Sequence, residues 1–142
     1  MLILLVAVDG SAYSDRALGY AMARVANSRE AVELRLLNVQ LPLGGVNVKL
    51  FISAESQQEY SREQGLEVLA ASRERLAQAG IACQHHIGVG DPGQVIADYA
   101  RSTGCAEVIM GTQGRGALAG AVMGSVAQKV VNLSPVPVVL VK

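Results

Sequence analysis

Apolar and polar positions follow one another in blocks along this chain. Apolar runs occupy residues 2–8, 34–39, 108–110 and 136–141, several of them continuous, with a weaker run at Cys83–Val89. Unbroken apolar runs of this length predict strands buried on both faces, as in a parallel sheet. Helical spacing lies between them. Leu18, Ala21, Met22 and Val25 form an i, i+3, i+4, i+7 stripe, with Ser14 as the expected N-cap. Residues 61–79 predict a second helix with Leu66, Leu69 and Leu76 inward and Gly80 beyond its end. Its Glu63, Glu67, Arg73, Glu74 and Arg75 read as a solvated face. Asp91-Pro92 reads as an N-cap followed by the first helical residue, with Val95, Ile96, Tyr99 and Ala100 inward and Gly104 as the stop. A fourth helix is expected from about Ser125, burying Val126, Ala127, Val130 and Val131. The order βαβαβαβαβ predicts an α/β fold, a parallel sheet with helices on both faces. Residues 40–60, with Pro42, Gly44 and Gly45, form the one long irregular stretch and a candidate lid.

Composition narrows the function. A chain of 142 residues suits one domain spanning 1–142, and 51% hydrophobic with 17% charged residues argues against disorder. Twelve basic and twelve acidic side chains give no net charge, so the electrostatic footprint of a nucleic-acid binder is missing. Only Tyr13, Tyr20, Phe51, Tyr60 and Tyr99 offer stacking surfaces. The opening MLILLVAV is too short to span a bilayer and lacks a basic start, so neither a membrane span nor a leader is expected and the location is read as cytoplasmic. Cys83 and Cys105 are not spaced as CxxC and read as small buried residues in a reducing compartment. His85 and His86 are adjacent on a strand and should point to opposite faces, a poor metal pair.

The stretch GTQGRGALAGAVMGSVAQ stands apart, with glycines at 111, 114, 116, 120 and 124 followed by Ser125. Two readings are open. One is a Gly/Ala-rich surface connection into an ordinary capped helix. The other is a loop whose bare amides and helix N-terminus receive an anion, the glycines letting a phosphate approach the backbone. Ser125 and Gln128 have the S-x-x-Q spacing of a capping box. No Gly-Lys-Ser/Thr occurs, so this is not a Walker sequence. Ligands of open α/β sheets bind beyond the carboxyl ends of the strands where strand order reverses. Asp9 and Gly111 each sit just past such an end.

The spacing Gly111-x-x-Gly114, nine residues, then Gly124-Ser125 resembles the G-x2-G-x9-G-(S/T) signature of the universal stress protein family, in its ATP-binding branch. VAVDGSAYSDRAL, LRLLNV, GDPGQVI, EVIMGTQGRG, GSVAQKVV and SPVPVVLV follow in that family's order and cover most of the chain. The resemblance implies an open five-stranded sheet of order 3-2-1-4-5, Rossmann-like and adenine nucleotide alpha hydrolase-like. It implies that ATP, or AMP or ADP, is bound; a divalent ion, Mg or Mn, could ride on the phosphates, although no dedicated carboxylate for it is visible. Asp9 would hydrogen-bond the nucleoside and Val39 would lie along the adenine. Gly111 would abut the ribose and α-phosphate. Gly114, Arg115, Gly124, Ser125 and the Val126 amide would surround the phosphates.

A nucleotide site is not itself a catalyst. No acidic residue lies between Gly111 and Lys129 to position water or hold a metal, so slow hydrolysis is the most this loop suggests. The expected function is a nucleotide-responsive regulatory protein of the stress response. An adenylating or pyrophosphatase enzyme of a related α/β fold is the first alternative, but the S-G-G-x-D-S those enzymes carry is here Asp9-Gly10-Ser11-Ala12-Tyr13-Ser14. A nucleotide-independent dimeric scaffold is the second. In the implied strand order the last strand is an uncharged edge, which predicts a homodimer paired through Val138–Val141.

Overall fold

The computed structural model describes residues 1–43, 53–116 and 123–142. Five strands, β1 (Leu2–Ala7), β2 (Val32–Gln40), β3 (Cys83–Val89), β4 (Glu107–Gly111) and β5 (Val138–Val141), form one sheet of order β3-β2-β1-β4-β5. All four pairings are parallel, from Leu2 opposite Val32 at the centre to Val108 opposite Val138 at one edge. Four helices, α1 (Ala12–Ala26), α2 (Ala54–Gln78), α3 (Pro92–Thr103) and α4 (Ser125–Leu133), make the crossovers. The predicted α/β fold and strand order are observed, and the described residues hold the four predicted helices.

Alternation along the strands splits the core in two. Leu4, Val6, Leu34, Leu36 and Ile109 face α1 and α2, where Leu18, Ala21, Leu69 and Leu76 meet them. Leu5, Leu37, Val108 and Met110 face α3 and α4, against Ile96, Ala100, Ala127 and Val130. Both faces of β1 and β4 are therefore dry, which is why Leu2–Ala7 and Val108–Met110 read as unbroken apolar runs. Each fully buried leucine contributes on the order of 1.5–3 kcal/mol of transfer free energy.

Helix starts differ from the sequence reading in three places. The N-cap of α1 is Ser11, whose Oγ accepts the Ser14 N–H at 3.2 Å. Ser14 lies inside the first turn, buried, and its Oγ donates to the Ser11 carbonyl and accepts the Asp9 N–H at 3.3 Å. It ties the helix back to the end of β1 rather than capping it. The second helix begins at Ala54, capped by Ser53, well before residue 61. Its buried stripe is Ser61, Gly65, Leu69, Ser72 and Leu76, while Leu66 is only partly buried. Small side chains let α2 lie close to the sheet: a Cβ on Gly65 would sit 2.6 Å from the Ile87 side chain. The third difference is in α4. Its N-cap is Gly124, with Ser125 the first helical residue, exposed. The Gln128 N–H donates to the Gly124 carbonyl at 3.0 Å and the Gln128 amide reaches the Met123 carbonyl, so the predicted capping box does not form. Val131, expected inward, is 46% exposed. By contrast α3 follows prediction, with Asp91 capping, Pro92 first and Gly104 left-handed at φ 65°. The candidate lid at 40–60 shrinks, since α2 takes over at Ala54; residues 44–52 of it lie outside the described residues.

Candidate functional site

The chain leaves β1 toward β2 over one face of the sheet and enters β4 over the other, so a crevice opens between the carboxyl ends of β1 and β4. Asp9 stands at its floor. One carboxylate oxygen accepts the Ser11 N–H at 2.9 Å across the turn at Gly10, whose φ of 84° suits glycine. The other accepts the Arg115 N–H at 3.3 Å from the loop after β4. That loop is folded tightly onto its neighbours. A Cβ on Gly111 would lie 2.6 Å from Tyr13 Cβ, and one on Gly114 would lie 2.7 Å from the Asp9 carboxylate. These two glycines are thus required by the approach of α1 and of Asp9 to the loop backbone.

The loop is anchored at both of its described ends. The Thr112 N–H donates to the Val141 carbonyl at 2.9 Å, and the Thr112 carbonyl accepts the Gly124 N–H at 2.7 Å. This holds the start of α4 beside the end of β4. No side chain caps α4. The amides of Ser125, Val126 and Ala127 precede its first internal bond, from Gln128, and carry the positive end of the helix dipole.

A cavity of about 700 Å³ fills the crevice. All eight sequence-predicted residues line it: Asp9, Val39, Gly111, Gly114, Arg115, Gly124, Ser125 and Val126. Val39, Ile96, Met110, Met123 and Val126 supply an apolar wall on the α3 and α4 side. Arg115 and Asp9 are the only charged side chains among the described lining residues. The size and the mixture of apolar wall with a few convergent polar groups are those of a small-molecule site.

The far wall was not foreseen from the sequence. Tyr60, Ser61, Gln64 and Val68 reach the cavity from α2, and Asn38 and Gln40 from β2. Asn38 is 3% exposed and donates to the Val8 carbonyl at 2.8 Å, and its own carbonyl accepts the Gln40 amide at 2.7 Å. A lone asparagine inside the apolar run LRLLNV was the available signal. Next to the lining residue Pro92, Asp91 pairs with Lys129 at 2.7 Å, joining the N-cap of α3 to α4. The Lys129 ammonium, aided by the Gln94 N–H, holds the Asp91 carboxyl below its ordinary value.

The remaining candidates lie elsewhere. His86 stacks on Tyr99 with ring centres 4.7 Å apart on the α3 side. His85 faces α2 from the opposite side of β3, where burial and then Arg73 and Arg62 lower its pKa. Both cysteines are unpaired; Cys105 is buried and burial raises its pKa, while Cys83 is half-buried. Among the described residues no three His, Cys, Asp or Glu side chains come together as a metal site, and no helix is long and apolar enough to cross a membrane.

Comparison with known proteins agrees with this architecture. The Universal stress protein family matches residues 1–142. Universal stress protein YxiE of Bacillus subtilis (strain 168) is 31% identical over 147 residues, covering 98% of this chain and 97% of the relative. The solved structure of hypothetical protein MJ0577 superposes with a TM-score of 0.81 at 26% identity, covering 99% of this chain and 95% of that one. A universal stress protein family protein from Arabidopsis thaliana with AMP bound gives a TM-score of 0.70 at 21% identity, covering 100% and 92%. With the family matched from the first residue to the last and the sheet order shared, the chain belongs to the universal stress protein family.

Proposed function

We propose that the crevice binds an adenine nucleotide, ATP in the first place with ADP or AMP as alternatives, and that the protein is a nucleotide-responsive regulator in the stress response. One observation carries this reading: the eight residues singled out by the glycine spacing and its resemblance line one cavity. The base would lie against Val39, Met110 and the apolar wall. Asp9 would take a nucleoside hydroxyl or amine, and the backbone of Gly111 would lie along the ribose and α-phosphate. Gly114, Arg115, Gly124, Ser125 and the Val126 amide would receive the phosphates. The AMP in the Arabidopsis relative supports the adenine class of ligand. A divalent ion such as Mg or Mn would enter on the phosphates, because the described lining offers one carboxylate, Asp9, already engaged by two amides. For the same reason the site is that of a binder, with at most slow hydrolysis, rather than of an adenylating enzyme.

The chain is read as one domain over 1–142, acting in the cytoplasm as a homodimer. Support for the dimer is the edge position of β5. Pro137 and Val141 direct their carbonyls inward to Val108 and Thr112, which leaves the main-chain groups of Val138 and Leu140 directed outward for a second copy.

Native mass spectrometry of freshly purified protein tests both readings, reporting subunit count and the mass of any nucleotide retained. Saturation with ATP at about 100 times Kd should add about 2.7 kcal/mol of stability. No thermal shift with excess ATP, ADP or AMP would remove the nucleotide reading.

A further inference from the structure

Helix α2 is longer than the strands it covers. Its 25 residues span about 37 Å, while the 7 residues of β3 span about 23 Å. The helix enters at the carboxyl ends of the strands, and its first buried residue is Ser61. Residues 54–60, about two turns, therefore stand beyond the strand ends, beside the crevice. Tyr60 ends this overhang; it is 49% exposed and lines the cavity. It is the one aromatic side chain among the described lining residues. The other tyrosine rings are engaged, Tyr13 by Arg16, Tyr20 by Arg24 and Tyr99 by His86. Among the described residues no ring or guanidinium lies on Tyr60. Leu41 and Leu43, which follow β2, line the cavity too, and Leu41 is largely exposed. Single exposed apolar side chains are ordinary, but three on one cavity mark a ligand contact.

We infer that Tyr60, with Leu41 and Leu43, covers the face of the base that Val39 and Met110 leave open, and that Tyr60 selects for an aromatic base. The inference rests on the nucleotide reading above. The crevice is polarised across β1. Arg115 and the unbonded amides of α4 stand on the β4 side, and the exposed apolar groups come from the β2 side. Val39 and Met110 belong to the α3 and α4 face of the sheet, whereas Tyr60 arrives on α2 from the opposite face. A base resting on Val39 and Met110 alone keeps its second face in water. The phenol ring meets it by its π-face, so the contact reads flatness and area and not the pattern of groups on the base edge.

Calorimetry on the full chain with ATP and AMP tests this. Tyr60→Ala should weaken both nucleotides by the same factor, about tenfold, the size of one lost base–aromatic stack. Tyr60→Phe, which keeps the ring, should restore the affinity. The chain has no tryptophan, so Tyr60→Trp places a single reporter at the contact, and ATP or AMP should quench its emission. Three results would overturn the role of Tyr60 while leaving the nucleotide reading intact: unaltered affinity in Tyr60→Ala, a loss as large in Tyr60→Phe, or unchanged tryptophan emission in a variant that calorimetry shows to bind ATP. Failure of the parent protein to bind either nucleotide would overturn both.

Discussion

The carboxylate of Asp9 accepts the backbone N–H of Arg115 at 3.3 Å, joining segments 106 positions apart in sequence. The same side chain turns the chain into α1 through the Ser11 N–H at 2.9 Å. Asp9 thus fixes the glycine loop against the end of β1 while lining the cavity. Asp9→Ala should lose about 1.5–3 kcal/mol of stability, the range for a hydrogen bond to a charged group. It should also weaken ATP and AMP alike, since the proposed pose puts the residue at the nucleoside end. Urea unfolding and calorimetric titration measure the two effects. A loss confined to ATP would show that Asp9 acts on the phosphates.

Gly124 has an ordinary φ of −75°, so a side chain there is not excluded by backbone strain. Its Cβ would point at Gln113, 3.3 Å from the amide oxygen, and stand 3.5 Å from the Thr112 carbonyl. The branched side chain of Gly124→Val would push the loop and the start of α4 apart. Nucleotide binding should be abolished with far-UV circular dichroism preserved, because the sheet does not depend on this contact. Gly124→Ala should retain part of the affinity, as the flexible Gln113 side chain can give. Parent-like affinity in the valine variant would mean that the loop is only a connection.

How the chain could be read follows from which contacts are local. β1 and β4 were legible because each is dry on both faces, and α3 because Asp91, Pro92 and Gly104 mark its ends by their own backbone preferences. The start of α2 was not, because its inward stripe is built from Ser61, Gly65 and Ser72. Small residues that serve close packing on Ile87 carry no hydrophobic signal. At the site, the glycine spacing brought out the β4 loop and Asp9. The α2 wall stayed hidden because its polar residues become a site only when the crossover lays them over the end of β2. At positions 111 and 114 the absent side chains also serve close approach within the protein, to Tyr13 and Asp9.

Pairing of β5 with a second copy is testable at the main chain. Val138 and Leu140 carry the outward N–H groups, so Val138→Pro combined with Leu140→Pro should remove two donors from the proposed interface. The parent should scatter light as a dimer at tens of micromolar, roughly tenfold or more above a Kd of about 1 μM, and the double variant as a monomer. A monomeric parent would dismiss the interface.

Acid should loosen the tie between α3 and α4 through Asp91. Its partners, the Lys129 ammonium at 2.7 Å and the Gln94 N–H at 3.2 Å, hold the carboxyl below its ordinary value. A group whose folded pKa is depressed stabilises the fold fully above its unfolded value, near 3.8. That contribution is lost as pH falls through the folded value, when protonation releases Lys129. Asn caps a helix about as well as Asp, so Asp91→Asn isolates the ion pair. Urea midpoints of parent and variant should differ at pH 7 and draw together once the pH falls below the depressed folded value. Because the pair is exposed, the difference at pH 7 should be small and should shrink in 1 M salt. A gap that widens on acidification would mean that Asp91 works through the helix cap and not through Lys129.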